Sequence, residues 1–157
     1  MLRPASGADA LAVQALWNLA IRDTLITFNA VEKSPDEVAQ AIEDHDAFIV
    51  AEDAGEVQGY AAFGPFRAGV GYAHTKEHSI MLAPSARGRG IGRALMQALE
   101  NEARAQGVHS LIAGVSGSNP MGEPFHAAMG FQLVGRVPEA GQKWGGWHDL
   151  VLMQKIL

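Results

Sequence analysis

The stretch Glu77-His78-Ser79-Ile80-Met81-Leu82-Ala83-Pro84-Ser85-Ala86-Arg87-Gly88-Arg89-Gly90-Ile91-Gly92-Arg93 sets the architecture. Glu77 to Leu82 is apolar enough to read as a strand, and it stops before Pro84, which has no N–H to give a sheet. From Gly90 to Gln106 the positions Ile91, Leu95, Ala98 and Leu99 form one stripe while Arg93, Gln97, Glu100 and Arg104 are expected to face water, with Gly107 as terminator. Between strand and helix lies a glycine-rich turn. Small residues let the backbone approach a ligand closely, and N–H groups at a helix start offer partial positive charge to an anion. A pyrophosphate fits such a turn, and Arg87, Arg89 and Arg93 can add charge-assisted hydrogen bonds. The nucleotide P-loop is excluded because no Lys-Ser/Thr pair follows, and the dinucleotide fingerprint fails because Arg93 stands where its last glycine belongs. The plainer alternative is that the glycines only make a tight turn.

Upstream, Asp9 to Arg22 places Leu11, Ala15, Leu16, Leu19 and Ala20 at helical spacing, predicting one apolar face on a core. Ser34-Pro35-Asp36-Glu37 opens a short second helix reaching about Glu43, with Ser34 and Glu37 as a capping box and Pro35 in the first turn. Ala47 to Ala51, a turn at Asp53-Ala54-Gly55, and Val57 to Phe63 read as a hairpin. Downstream come a strand at Ser110 to Val115, a short helix from about Gly122 to Met129, and strands near Phe131 to Val137 and Leu150 to Ile156. The order is β-α-α-β-β-β-α-β-α-β-β. That mixture predicts an α/β fold, a sheet covered by helices on both faces.

With 157 residues, 48% of them apolar, the chain is long enough for one domain spanning 1–157 with a full core. Its formal charge of −5 argues against a surface that tracks nucleic-acid phosphates, which needs clustered cations. The absence of cysteine removes disulfides, thiolate metal sites and a cysteine nucleophile. No signal-peptide core or membrane-length apolar run is present, so a cytoplasmic location without membrane attachment is the expectation.

The turn resembles the signature of the GCN5-related N-acetyltransferase (GNAT) family, Arg/Gln-x-x-Gly-x-Gly/Ala, through Arg87, Gly90 and Gly92. The likeness continues to Asn119, His126 and Gly130-Phe131. It implies a central, mostly antiparallel sheet of six or seven strands and acetyl-coenzyme A as cosubstrate. The pyrophosphate would lie on the loop amides from Arg87 through Gly88, Arg89, Gly90, Ile91 and Gly92 to Arg93, with Asn119 nearby and the pantetheine arm along Ile80-Met81-Leu82. Within the family the chain is similar to the phosphinothricin and methionine sulfoximine acetyltransferases. Phe66-Arg67, Tyr72, Glu77-His78-Ser79, Phe125-His126 and the block Gly141-Gln142-Lys143-Trp144-Gly145-Gly146-Trp147-His148-Asp149 carry that narrower likeness. It implies an acceptor site bordered by Arg67, Val70, Gly71 and Tyr72 with Phe28 opposite, and a homodimer involving the Trp144–Trp147 region. Met81, Gly122, Pro120 and Pro124 depart from the family pattern.

Amide formation needs a neutral amine, a donor for the developing oxyanion and a proton for the departing thiolate. Glu77 is the candidate general base and His126 the candidate proton donor to sulfur, with a backbone N–H near Leu82 as oxyanion donor. A surface carboxylate and a helix histidine bonded to a carbonyl are the respective alternatives. His74-Thr75-Lys76-Glu77-His78 spells a zinc-peptidase arrangement, but in a strand positions four apart lie roughly 13 Å from each other, so no metal is expected. The expected function is acetyl transfer to the α-amino group of a small amino-acid-like acceptor. Alternatives are a non-catalytic acyl-CoA sensor and a peptide or protein N-terminal acetyltransferase.

Overall fold

The computed structural model describes Met1–Leu157. In chain order it contains β1 (Leu2–Pro4), α1 (Ala10–Asp23), α2 (Pro35–Asp44), β2 (Ala47–Asp53), β3 (Glu56–Pro65), β4 (Thr75–Leu82), α3 (Ile91–Ala105), β5 (Ser110–Ser116), α4 (Gly122–Ala128), β6 (Gln132–Lys143) and β7 (Gly146–Ile156). The strands form one sheet in the order β1-β2-β3-β4-β5-β7-β6, antiparallel except for the β4–β5 pair. This is the mostly antiparallel sheet of six or seven strands that the family resemblance implied, with helices on both faces as the order of elements predicted.

Period-two alternation along β3 assigns the layers. Tyr60 and Ala62 point toward α1 and α2, where Val13, Val38, Ile42, Phe48 and Val50 complete one core. Ala61 and Phe63 point the other way, onto Leu95, Met96 and Leu99 of α3 and a second core reaching Phe131 and Met153. Three positions differ from the stripes expected: Leu11 and Ala15 in α1, both exposed, and Glu100 in α3. In α1 the buried residues are Ala10, Val13, Ala20 and Ile21, whereas Leu11 is 67% exposed. In α3, Glu100 is buried and does not face water, because Lys155 binds both its oxygens at 2.8 Å and Arg104 lies one turn away.

Local chemistry sets the boundaries. Ser34 Oγ accepts from the Glu37 N–H, and Glu37 reaches back to the Ser34 N–H at 2.7 Å, closing the capping box. The β2–β3 turn has Ala54 and Gly55 in the left-handed region, and the β6–β7 turn has Trp144 and Gly145 there, as tight hairpins require. β6 and β7 are longer than their apolar patterns suggested, pairing as far as Lys143 and Gly146. β6 shifts register between Val137 and Gly141, where Asp149 accepts from the Glu139 N–H at 2.9 Å.

The parallel pair creates the feature that matters most. β4 and β5 pair only from Thr75↔Ser110 to His78↔Ala113. Beyond that point Ser79–Leu82 keep partners in β3 alone, and Gly114–Ser116 keep partners in β7 alone. The sheet therefore splays open at its centre, leaving backbone polar groups on both lips without a ladder.

Candidate active site

A cleft of about 690 Å³ occupies the splay. One end is the glycine turn. Gly88 (φ 72°) and Gly90 (φ 81°) are left-handed, a conformation that costs other residues energy, and a Cβ on either would meet nothing within 4 Å. Their glycine is thus required by backbone conformation rather than by crowding. Gly90 is the N-cap of α3, and the first helical bond closes only at Ala94 N–H to Gly90 C=O, so the preceding N–H groups of the first turn point outward. Gly92 answers to packing: a Cβ there would lie 3.1 Å from Leu82 and 3.2 Å from Phe125.

Arg87 and Arg93 line this end of the cleft and make no side-chain hydrogen bond or ion pair, leaving both guanidinium groups free for an anion. Arg89 is turned outward to Asp53, at 2.9 Å, and Ile91 packs on the core; neither lines the cleft. Gly88, Gly90, Gly92, Asn119, Ile80, Met81 and Leu82 do. Positive charge, free helix-start amides and unladdered strand edge together fit a diphosphate followed by an amide-bearing arm.

Alternation along β4 divides the chemistry between the two faces. His78, Ile80 and Leu82 lie toward α3 and α4; Glu77, Ser79 and Met81 lie on the side of α1 and α2. Glu77 is exposed and does not itself line the cleft, but its carboxylate reaches the β5 lip, where a Cβ on Gly114 would come within 2.9 Å of its Oε1. Partial desolvation raises its pKa, a direction that suits a base working near neutrality.

His126 is buried on α4 and lies against His78, with Nε2 to Nε2 at 3.0 Å. Its Nδ1 is 2.8 Å from the Gly122 carbonyl, so Nδ1 carries the proton and a neutral His126 has a bare Nε2. The bond between the rings is then donated by His78 Nε2–H, which leaves His78 Nδ1 buried without a hydrogen-bond partner. Burial and the adjacent His126 push the His78 pKa down to about 3 against a weaker pull from the Ile112 backbone, and burial lowers that of His126. Both rings line the cleft as a neutral pair.

Trp17, Tyr60, Phe28 and Leu150 form the wall on the Glu77 side. Phe28 stacks on His148 with centroids 5.6 Å apart. Arg67, Val70, Gly71 and Tyr72 lie outside the cleft lining. They belong to an exposed loop between β3 and β4 in which Arg67 packs over the Tyr72 ring at 5.4 Å. Sequence reasoning did not single out Gly114, Ser116 and Leu150 on the lips or His78 beside His126. His78 appears there only within the Glu77-His78-Ser79 likeness and the rejected zinc-peptidase spelling, not as a partner of His126.

The acetyltransferase (GNAT) family pattern matches residues 13–131. The chain belongs to the GNAT acetyltransferase family. It is 35% identical to an L-methionine sulfoximine/L-methionine sulfone acetyltransferase of Pseudomonas paraeruginosa, over 98% of this chain and 92% of that protein. Its fold superposes with a TM-score of 0.96 on a ribosomal-protein-alanine N-acetyltransferase from Brucella melitensis, 40% identical, covering 100% of this chain and 99% of that one. A phosphinothricin acetyltransferase from Sinorhizobium meliloti in complex with AcCoA gives 0.95 at 33% identity, covering 100% and 88%. The Sinorhizobium meliloti enzyme holds AcCoA, and the free arginines and amides of this cleft fit a donor of that kind.

Proposed function

We propose that this GNAT enzyme acetylates the α-amino group of a small amino-acid-like acceptor of the methionine sulfoximine or phosphinothricin type, with residues 1–157 acting as one catalytic domain. The observation that carries this is the splay itself, which joins the Arg87–Arg93 anion site on one face to the Phe28 and Trp17 side on the other, with Glu77 at the rim beside Gly114. Acetyl-CoA supplies an activated thioester carbonyl. Arg87, Arg93 and the loop amides hold its diphosphate, and the unladdered edge of Ser79–Leu82 faces its pantetheine arm, with a backbone N–H near Leu82 donating to the carbonyl oxygen. Glu77, whose raised pKa favours proton uptake, takes the proton from the acceptor ammonium. His126 or water protonates the departing sulfur. In the neutral pair His126 has no spare proton, so it can serve only after the His78–His126 unit gains one. Arg67 and Tyr72, exposed beside the strand that bears Glu77, are the proposed contacts for the acceptor carboxylate, together with Val70 and Gly71.

The protein works as a cytoplasmic homodimer in this reading. Support for the dimer comes from exposed apolar side chains on the β6–β7 hairpin, Leu133, Val134, Val137, Trp144 and Trp147. The similarity to a ribosomal-protein-alanine N-acetyltransferase favours one second reading, acetylation of a protein N-terminus. Free-thiol release from acetyl-CoA tests both, using methionine sulfoximine, phosphinothricin, a panel of amino acids and alanine-initiated peptides. Transfer to the free amino acids is expected. Transfer to peptides alone would replace the first reading by the second, and no release with any amine would defeat both.

A further inference from the structure

Lys143 is 3% exposed yet has no carboxylate partner. Its ammonium donates instead to the carbonyl of Thr24 at 2.6 Å and of Thr27 at 2.8 Å, across 119 and 116 residues of chain. A third side is covered by the Trp144 ring at 5.1 Å. Thr24 is the C-cap of α1, so the cation lies at the negative end of that helix, with one acceptor at the helix cap and the other, Thr27, in the loop that follows. A lysine is almost never buried unless paired, and here its partners are two carbonyls of one short segment.

That segment carries Phe28, and two more features of the β6–β7 hairpin converge on the ring. A Cβ on Gly141 would collide with the Cγ, Cδ2 and Cε2 atoms of the Phe28 ring, although Gly141 lies outside the left-handed region. His148 stacks on Phe28, donates Nε2–H to the Lys143 carbonyl at 3.1 Å and accepts at Nδ1 from Ser118 Oγ at 2.9 Å. Ser118 adjoins Asn119, which lines the donor end of the cleft.

We propose that Lys143 is a positioning residue for acceptor selection: with Gly141 and His148 it pins the Thr24–Phe28 segment so that Phe28 forms a fixed wall of the acceptor side of the cleft. Without the strut, Phe28 can swing and acceptors of different side-chain shape are no longer distinguished. The inference rests on the acceptor reading above. Lys143 touches no reacting atom, so its effect belongs in acceptor KM and in the spread of kcat/KM among acceptors, not in acetyl-CoA affinity.

Lys143→Met keeps the length and removes the donors. Hydrogen exchange over residues 24–29 should quicken at least tenfold in this variant. Acceptor KM should rise about tenfold while acetyl-CoA KM stays within twofold, and Lys143→Arg should restore part of the loss. In a Phe28→Ala background the Lys143→Met change should have little further effect on acceptor KM, because both act on one wall. Gly141→Ala, which displaces the ring without touching the ammonium, should reproduce the KM pattern and serves if Lys143→Met does not fold. Unchanged exchange over 24–29, equal losses in both substrates' KM, or full additivity with Phe28→Ala would overturn the proposal. A wild-type protein silent with every acceptor would defeat the preceding reading instead, and the exchange measurement would still decide whether Lys143 holds the segment.

Discussion

Glu77 and the two buried histidines answer to pH in opposite senses. Glu77 must be ionised to take a proton, and desolvation raises its pKa, so kcat/KM for the acceptor should climb with pH through a limb above the usual carboxylate range. Glu77→Gln should remove that limb and lower kcat about 10²- to 10⁴-fold, while calorimetric affinity for coenzyme A stays near that of the wild type. Loss of coenzyme A binding in this variant would mean that Glu77 supports the fold of the cleft rather than the chemistry. The histidine pair concerns stability. His78 is held neutral with a pKa of about 3, below its value of about 6.5 in an unfolded chain, and His126 is shifted the same way. The unfolded state therefore binds more protons below pH 6.5, and the contribution of the neutral pair, full above that pH, is lost as pH falls toward 3. Thermal denaturation should show the melting temperature dropping between pH 7 and 5. His78→Leu should flatten that slope, at the expense of leaving His126 Nε2 without its donor.

At the scale of elements, the glycine turn ties conformation to binding. Gly90 sits at φ 81° as the N-cap of α3, so Gly90→Ala places a Cβ in the left-handed region at a cost of about 1–2 kcal/mol. Because a Cβ there meets nothing, the substitution should leave the fold intact, lower the melting temperature by a few degrees and weaken coenzyme A binding by re-aiming the amides. Calorimetry with coenzyme A checks this; an affinity equal to the wild type's would show that those amides do not hold the diphosphate. This turn was legible in the sequence because its chemistry is local, as were the capping box at Ser34 and the end of β4 at Pro84. The extent of β6 and β7 was not, since β6 is exposed along most of its length and its register shift at Val137–Gly141 erases alternation. The face of α1 was misplaced because alanine and leucine share a helical spacing that only packing resolves. The His78–His126 bond and the Lys143 strut join residues 48 and more than 100 positions apart, so no window of sequence contained them.

For the whole molecule, the outstanding question is what covers the β6–β7 hairpin. β6 is an edge strand of 12 residues at one end of the sheet, the kind of edge that monomers blunt with charge, proline or a covering helix. Here Pro138 falls in its register shift, yet Leu133 (61%) and Val134 (55%) at one end of the hairpin and Trp144 (61%) and Trp147 (62%) at its tip remain exposed. With the chain net negative, a second copy meeting these uncharged side chains avoids the like-charge repulsion that contact through acidic surfaces would bring. Light scattering at micromolar concentration should therefore give twice the 16.7 kDa of one chain. Val134→Glu, which adds a charge to the exposed hairpin without touching either core, should shift the species toward the monomer. A wild-type mass of one chain would mean that the exposed hairpin serves no self-association. If the Val134→Glu monomer keeps its melting temperature but loses acceptor turnover, the dimer is needed to complete the acceptor side of the site, where Arg67 and Tyr72 stand exposed on the β3–β4 loop outside their own chain's cleft.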